Sequence, residues 1–234
     1  MRRTATCLGF LMCCSLTAHA GGLNLSWDHC SADGAPVSNR AFGCLSNTGE
    51  ETLVGSFVLS VPLSGMVRMT AQVEFLSPTT ASFPAWLLDG GCAELALQAA
   101  PYLPGTDVNC HDWTGLGGAG ATTSTYHYPA GDPRRGTITL VSTTPVPGSP
   151  AQANVEYFAL RIRITHDVLA GPGACGGCST PLTIALNFVS ASNGPSTQNL
   201  VLPVSGTSNR VTWQTSGPTA ARNMTWSAVK SLYR

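Results

Sequence analysis

The chain has 234 residues, of which 43% are hydrophobic and only 10% charged, with twelve basic and twelve acidic side chains. A soluble domain ordinarily carries about a quarter charged residues, so this surface must be made of Ser, Thr, Asn, Gln and Gly. No basic patch is present to hold nucleic acid, which excludes it as a partner. After residue 20 no segment reaches the roughly 18 consecutive apolar residues that a transmembrane helix needs.

The first twenty residues read as a secretory signal peptide. Met1-Arg2-Arg3 is a basic start, Leu8-Gly9-Phe10-Leu11-Met12 lies in a compact apolar run, and Ala18-His19-Ala20 is a small-x-small cleavage site. Cleavage after Ala20 predicts one mature domain from Gly21 to Arg234, 214 residues long, with ten basic residues against twelve acidic ones. It also discards Cys7, Cys13 and Cys14 and leaves six cysteines, an even number, in a chain bound for an oxidising space. The predicted location is secreted, periplasmic or at the cell surface.

Beyond the leader, period-two alternation recurs and helical periodicity is scarce. Leu23 to Trp27 predicts a first strand. Leu53 to Val61 places Leu53, Phe57, Leu59 and Val61 on one face, and Val67 to Phe75 alternates apolar and polar residues throughout. Pro62-Leu63-Ser64-Gly65 between them reads as a turn, so the two runs predict a hairpin. Glu94 to Ala100 fits two turns of helix or a short strand. Thr137 to Val141 is a further strand, and Tyr157 to Thr165 predicts one with Phe158, Leu160, Ile162 and Ile164 inward and Arg161, Arg163 and Thr165 outward. Leu182 to Phe188, Leu200 to Val204 and Val211 to Trp213 follow, and Thr225 caps a short C-terminal helix from Trp226 to Leu232. About eight short strands separated by Gly, Pro, Asn and Ser predict an all-β fold, an antiparallel β-sandwich of jelly-roll-like or immunoglobulin-like kind with long loops.

The six cysteines fall into three local pairs, and local pairing is the expectation: Cys30 with Cys44, Cys92 with Cys110, and Cys175 with Cys178. Closing each of the two longer loops contributes roughly 3 kcal/mol in the loop-entropy picture. Cys175-Gly176-Gly177-Cys178 has the spacing of a thiol–disulfide redox site, but it runs into a strand, not a helix, and reads as a stapled turn. Asp28-His29-Cys30 and Cys110-His111-Asp112 each set potential zinc ligands side by side. Neighbouring residues on a strand point to opposite faces, so neither triplet chelates as a unit, and no metal or cofactor is expected. There is no Gly-x-Ser-x-Gly elbow, His-Glu-x-x-His helix, phosphate loop or spaced Asp motif for calcium.

The stretch from Pro101 to Arg135 has little periodicity and reads as a long loop of the kind that carries recognition. Tyr102, His111, Trp113, Tyr126, His127 and Tyr128, with Asp112, Asp132 and Arg134, combine apolar faces with polar edges, the mix that stacks on sugar rings or anchors a protein. These six aromatic and histidine residues are the candidate binding set. The alternative is that Trp113 and the tyrosines fold back over the sheet edge, with a Cys92–Cys110 bridge pinning the base of the loop.

The ending Thr225-Trp226-Ser227-Ala228-Val229-Lys230-Ser231-Leu232-Tyr233-Arg234, together with the strand from Tyr157-Phe158 to His166 and the Cys175-Gly176-Gly177-Cys178 turn, resembles uncharacterised secreted proteins of environmental bacteria. The resemblance covers about a third of the chain and implies a secreted bacterial product without implying an activity. The expected function is a non-catalytic binding module with a glycan or protein ligand. The alternatives are a structural subunit of a surface layer or appendage and, third, a secreted hydrolase.

Overall fold

The computed structural model describes residues 22–34, 36–78, 97–100, 110–114, 121–127, 134–145, 150–167, 169–193, 199–202 and 208–215. These residues contain eleven strands: β1 (Gly22–Trp27), β2 (Asn39–Arg40), β3 (Glu50–Val58), β4 (Arg68–Leu76), β5 (Leu97–Ala100), β6 (Ala121–His127), β7 (Arg135–Thr143), β8 (Glu156–Thr165), β9 (Leu182–Ser192), β10 (Asn199–Leu202) and β11 (Arg210–Trp213). The protein is an all-β sandwich. One sheet has four strands in the order β1-β3-β8-β5, and the other has seven, β2-β11-β9-β4-β7-β6 with β10 beside β11 on β9. All pairings are antiparallel except that of β2 with β11.

The alternation in β4 turns Met69, Ala71, Val73 and Phe75 into the core and leaves Thr70, Gln72 and Glu74 half-buried on the outer face. Leu23, Leu25 and Trp27 of β1, Leu53 and Phe57 of β3, and Ile162 and Ile164 of β8 meet this layer from the opposite sheet. Ile138 and Leu140 of β7 and Leu182, Ile184 and Leu186 of β9 complete it. Trp27 and Trp213, with ring centroids 5.6 Å apart, close the β1–β11 side of the sandwich, where the Trp27 indole N–H donates to the Thr212 carbonyl at 3.1 Å.

Three expectations are corrected by the fold. The runs at Leu53 and Val67 do not form a hairpin: β3 pairs with β1 and β8, whereas β4 pairs with β7 and β9 in the other sheet. Two strands with one apolar face each can share a core by facing one another as readily as by lying side by side, and the buried Leu59, Leu63 and Met66 line the crossing. Val61, expected inward, is 49% exposed on that crossing. In β8 a bulge inserts Ala159 opposite the Gly55–Ser56 step of β3. One extra residue reverses the facing of everything before it, so Phe158 leaves the main core and packs outside the sheet with Val54 and Cys30. Gly55 permits this bulge, since a Cβ there would stand 3.0 Å from the Leu160 Cγ.

The disulfides also depart from local pairing. Cys30 joins Cys110 and Cys44 joins Cys178, each with Cα atoms 5.9 Å apart. Cys175 is disulfide-bonded too, so it does not staple a turn with Cys178; Cys92 lies outside the described residues. The cause is topology. Residue 40 and the start of β9 flank the same end of β11, where Trp213 lies opposite both Arg40 and Leu182, and this brings Cys44 to Cys178. Leu97–Ala100 is strand, and Ala121–His127 within the expected loop is the outer strand β6. The C-terminal helix expected from Trp226 to Leu232 lies outside the described residues.

At the end of the sandwich near residue 166, Arg40 pairs with Asp28 and Glu51, and the buried His166 faces Glu51 at 3.5 Å while its Nδ1 lies 3.1 Å from the Thr48 carbonyl. Phe42 stacks on the His166 ring with centroids 4.2 Å apart.

Candidate binding pocket

A chain of contacts running from Cys30 to Tyr157 places the candidate site. Asp28 has a positive φ of 65°, which turns the chain back over the outer face of β3 and β8, where Ser31–Asp33 forms one 3-10 turn. The Glu156 carboxylate holds this turn, accepting hydrogen bonds from the backbone N–H groups of Ser31 at 3.0 Å and Ala32 at 2.6 Å, from the Asn24 amide at 3.1 Å and from the Ser56 hydroxyl. A carboxylate is acceptor-only and can satisfy several donors at once, here including the free N–H groups of a helical first turn. The bridge from Cys30 then fixes Cys110 beside the first residues of β8.

One residue beyond Cys110, His111 forms an isolated parallel bridge to Tyr157 on that edge. The His111 N–H donates to the Glu156 carbonyl at 2.9 Å, and the Phe158 N–H donates to the His111 carbonyl at 3.0 Å. Asp112 ends the pairing. Its Oδ1 accepts from the Thr114 N–H at 2.8 Å and the Thr114 hydroxyl at 2.7 Å, a side-chain-closed turn typical of Asp. The turn drives Trp113 into the main core, where it is 1% exposed.

His111, Asp112 and Trp113 form one wall of a pocket of about 290 Å³, and Pro150, Gln152, Val155 and Tyr157 form the rest. The second wall belongs to the segment entering β8. That segment is held by bridges from Ala151 to Leu63 and Ala153 to Leu59 and by the Gln152 N–H, which donates to the Tyr157 hydroxyl at 2.7 Å. His111, Asp112, Pro150 and Gln152 are exposed at the rim, Val155 is half-buried, and Trp113 and Tyr157 are buried. The Trp113 indole N–H is buried without a hydrogen-bond partner among the described residues. Among the described residues, no group of three or more His, Cys, Asp or Glu could hold a metal ion, and the sulfurs of the two triplets considered for zinc are joined to one another.

The candidate binding set is thus divided. His111 and Trp113 share the pocket, but Trp113 enters as a buried wall and not as an exposed stacking platform. Tyr126 lies on β6 in the other sheet, half-buried, with its hydroxyl donating to the Leu97 carbonyl at 3.2 Å, and His127 ends the same strand opposite Thr137. Tyr102 and Tyr128 lie outside the described residues. Pro150, Gln152, Val155 and Tyr157 had no signal as site residues in the sequence, because they precede or open a strand some 40 residues downstream of His111.

These features define a disulfide-bridged β-sandwich with a small pocket on the edge of its four-stranded sheet. No protein-family model matches the chain, and no curated protein matches it. Among solved structures it is similar to a cohesin module from a Clostridium perfringens family 33 glycoside hydrolase, at 7% identity and a TM-score of 0.39 over 82% of this chain and 96% of that module.

Proposed function

We propose that the protein is a secreted, non-catalytic binding module whose ligand, a glycan or a protein-borne group, enters the pocket between His111–Trp113 and Pro150–Tyr157. The observation that supports this is the pocket itself: about 290 Å³, with two aromatic side chains, an imidazole, a carboxylate and an amide converging on it. Concave sites on which a few fixed polar groups converge are where ligands bind. The rim is preorganised, because Cys110 is covalently tied one residue before His111 and Tyr157 is fixed to the Gln152 backbone. Residues 1–20 serve in this reading as the export signal that delivers the chain to an oxidising space.

The test is a glycan array and size-exclusion chromatography on the oxidised protein, with Gln152→Trp alongside to fill the pocket from its exposed rim. Binding by the parent chain that is lost in Gln152→Trp supports the reading. Concentration-dependent self-assembly without ligand binding, unchanged in Gln152→Trp, overturns it in favour of a structural subunit.

A further inference from the structure

We propose that the outer face of the four-stranded sheet carries a second binding site, in which Arg161 takes one singly charged oxyanion, a carboxylate group, from outside the chain. The site shares no residue with the pocket, so the two readings stand or fall separately. A guanidinium without a counter-ion, the sum of charge around it and the wall beside it lead to this site.

Ile162 and Ile164 point into the core, which turns Arg161 and Arg163 to the outer face of β8, about 7 Å apart along the strand. The two are not equivalent. The Arg163 Nε–H donates to the Glu50 carboxylate at 2.6 Å, whereas Arg161 has neither a hydrogen bond nor an ion pair among the described residues. Of its three nitrogens only Nε is closed off from water without a partner. The stem is thereby held in place, and the two terminal NH2 groups are the donors open to an acceptor from outside. A carboxylate facing that end accepts from both at once, the two-pronged geometry that a guanidinium favours.

Burial and then Arg163 hold the Arg161 pKa below the ordinary arginine value, with Glu50 opposing, and the side chain stays charged at neutral pH. Among the described residues the charges acting on Arg161 are thus Arg163 and Glu50. Two guanidiniums less one carboxylate leave one positive charge, which a single carboxylate neutralises. A dianion such as a phosphate monoester would overshoot and meet repulsion from Glu50. Val54, opposite Arg161 on β3, is covered by Cys30 and Phe158, with Cys110 packed against them. This apolar wall lowers the local dielectric beside the guanidinium and strengthens a charge-assisted hydrogen bond there. On the other side Ala100 of β5 lies opposite Arg161, and its methyl group is too short to reach the guanidinium.

Magnetic-resonance titration of the oxidised full chain tests this through the Arg161 Nε–Hε signal, which burial protects from rapid exchange with water. Benzoate is the probe, benzamide its uncharged analogue, and phenyl phosphate, a dianion at about pH 8, the charge control. Benzoate is expected to shift the signal saturably at millimolar concentration, benzamide to leave it unmoved, and phenyl phosphate to bind at least about threefold more weakly. Arg161→Lys keeps the charge but loses the two-pronged geometry, and should weaken benzoate by roughly threefold to tenfold. Arg161→Met should abolish the benzoate shifts at the Thr52 and Val54 amides. Glu50→Gln frees Arg163 and should turn the preference towards phenyl phosphate; its exposed position keeps the charge test available if an Arg161 variant fails to fold. The proposal is overturned if the Arg161 signal ignores benzoate, if benzamide shifts it equally, or if phenyl phosphate binds the parent chain more tightly. Benzoate binding that survives Arg161→Met overturns it too, and each of these results leaves the pocket reading to its own test with Gln152→Trp.

Discussion

Replacing Cys30 and Cys110 together by alanine is expected to destabilise the protein by about 4–5 kcal/mol. The bridge spans 80 residues, and a loop of that length alone corresponds to about 4.5 kcal/mol of unfolded-state entropy. The Cys44–Cys178 bridge, spanning 134 residues, encloses Cys110 and shortens the effective path between the two positions, which lowers the term to about 4 kcal/mol. Cys30 is also buried against Val54 and Phe158, and alanine leaves a small void there worth about 1 kcal/mol. Guanidinium unfolding under non-reducing conditions, followed by tryptophan fluorescence, measures the loss. Non-reducing peptide mapping of the parent chain should recover Cys30 with Cys110 and Cys44 with Cys178. A loss below about 1 kcal/mol, or a peptide linking Cys30 to Cys44, would refute the reasoning. Because Cys110 precedes His111, the double variant should also lose pocket affinity under conditions where it is still folded.

Gly49→Ala should cost about 2–4 kcal/mol in the same unfolding assay, because Gly49 has φ +118° and a Cβ there would stand 2.7 Å from the His166 Nδ1; a variant as stable as the parent would show that the Phe42–His166 contact is not held as described. Glu156→Gln puts a donor among the four donors that Glu156 satisfies, and a loss of about 2–3 kcal/mol is expected. Hydrogen exchange should then speed at the amides of Ser31 and Ala32 first. Arg161 has a buried Nε with no partner among the described residues, and its pKa is held below the usual arginine value by burial and then by Arg163, with Glu50 opposing. Arg161→Met should therefore melt within about 0.5 kcal/mol of the parent or above it, and a larger loss would mean that the guanidinium is paired in solution.

Much of the β architecture is legible one strand at a time. The alternation of Val67 to Phe75 reports its own buried face, and β4 carries it as expected. Bulges are less legible: Ala159 changes the facing of Phe158, and Asn187 does the same service in β9, where Gln72 lies opposite Phe188 but Val73 opposite Leu186. A bulge leaves no compositional mark, since its extra residue is defined by the partner strand. The candidate site was half legible. His111 and Trp113 stood out because aromatic and titratable residues in a Gly- and Thr-rich stretch are unusual, while Gln152 and Tyr157 are ordinary residues at the mouth of a strand.

From composition and period alone follow the all-β class, the positions of the longer strands and a surface poor in charge, because a strand's two faces are written in its own side chains. The sheet to which each strand belongs, the cysteines that meet and the direction Trp113 takes were decided only by the tertiary structure. Pairing depends on which edges and faces approach within a few ångströms, and for residues 80 or 134 positions apart that distance is a property of the whole packed sandwich.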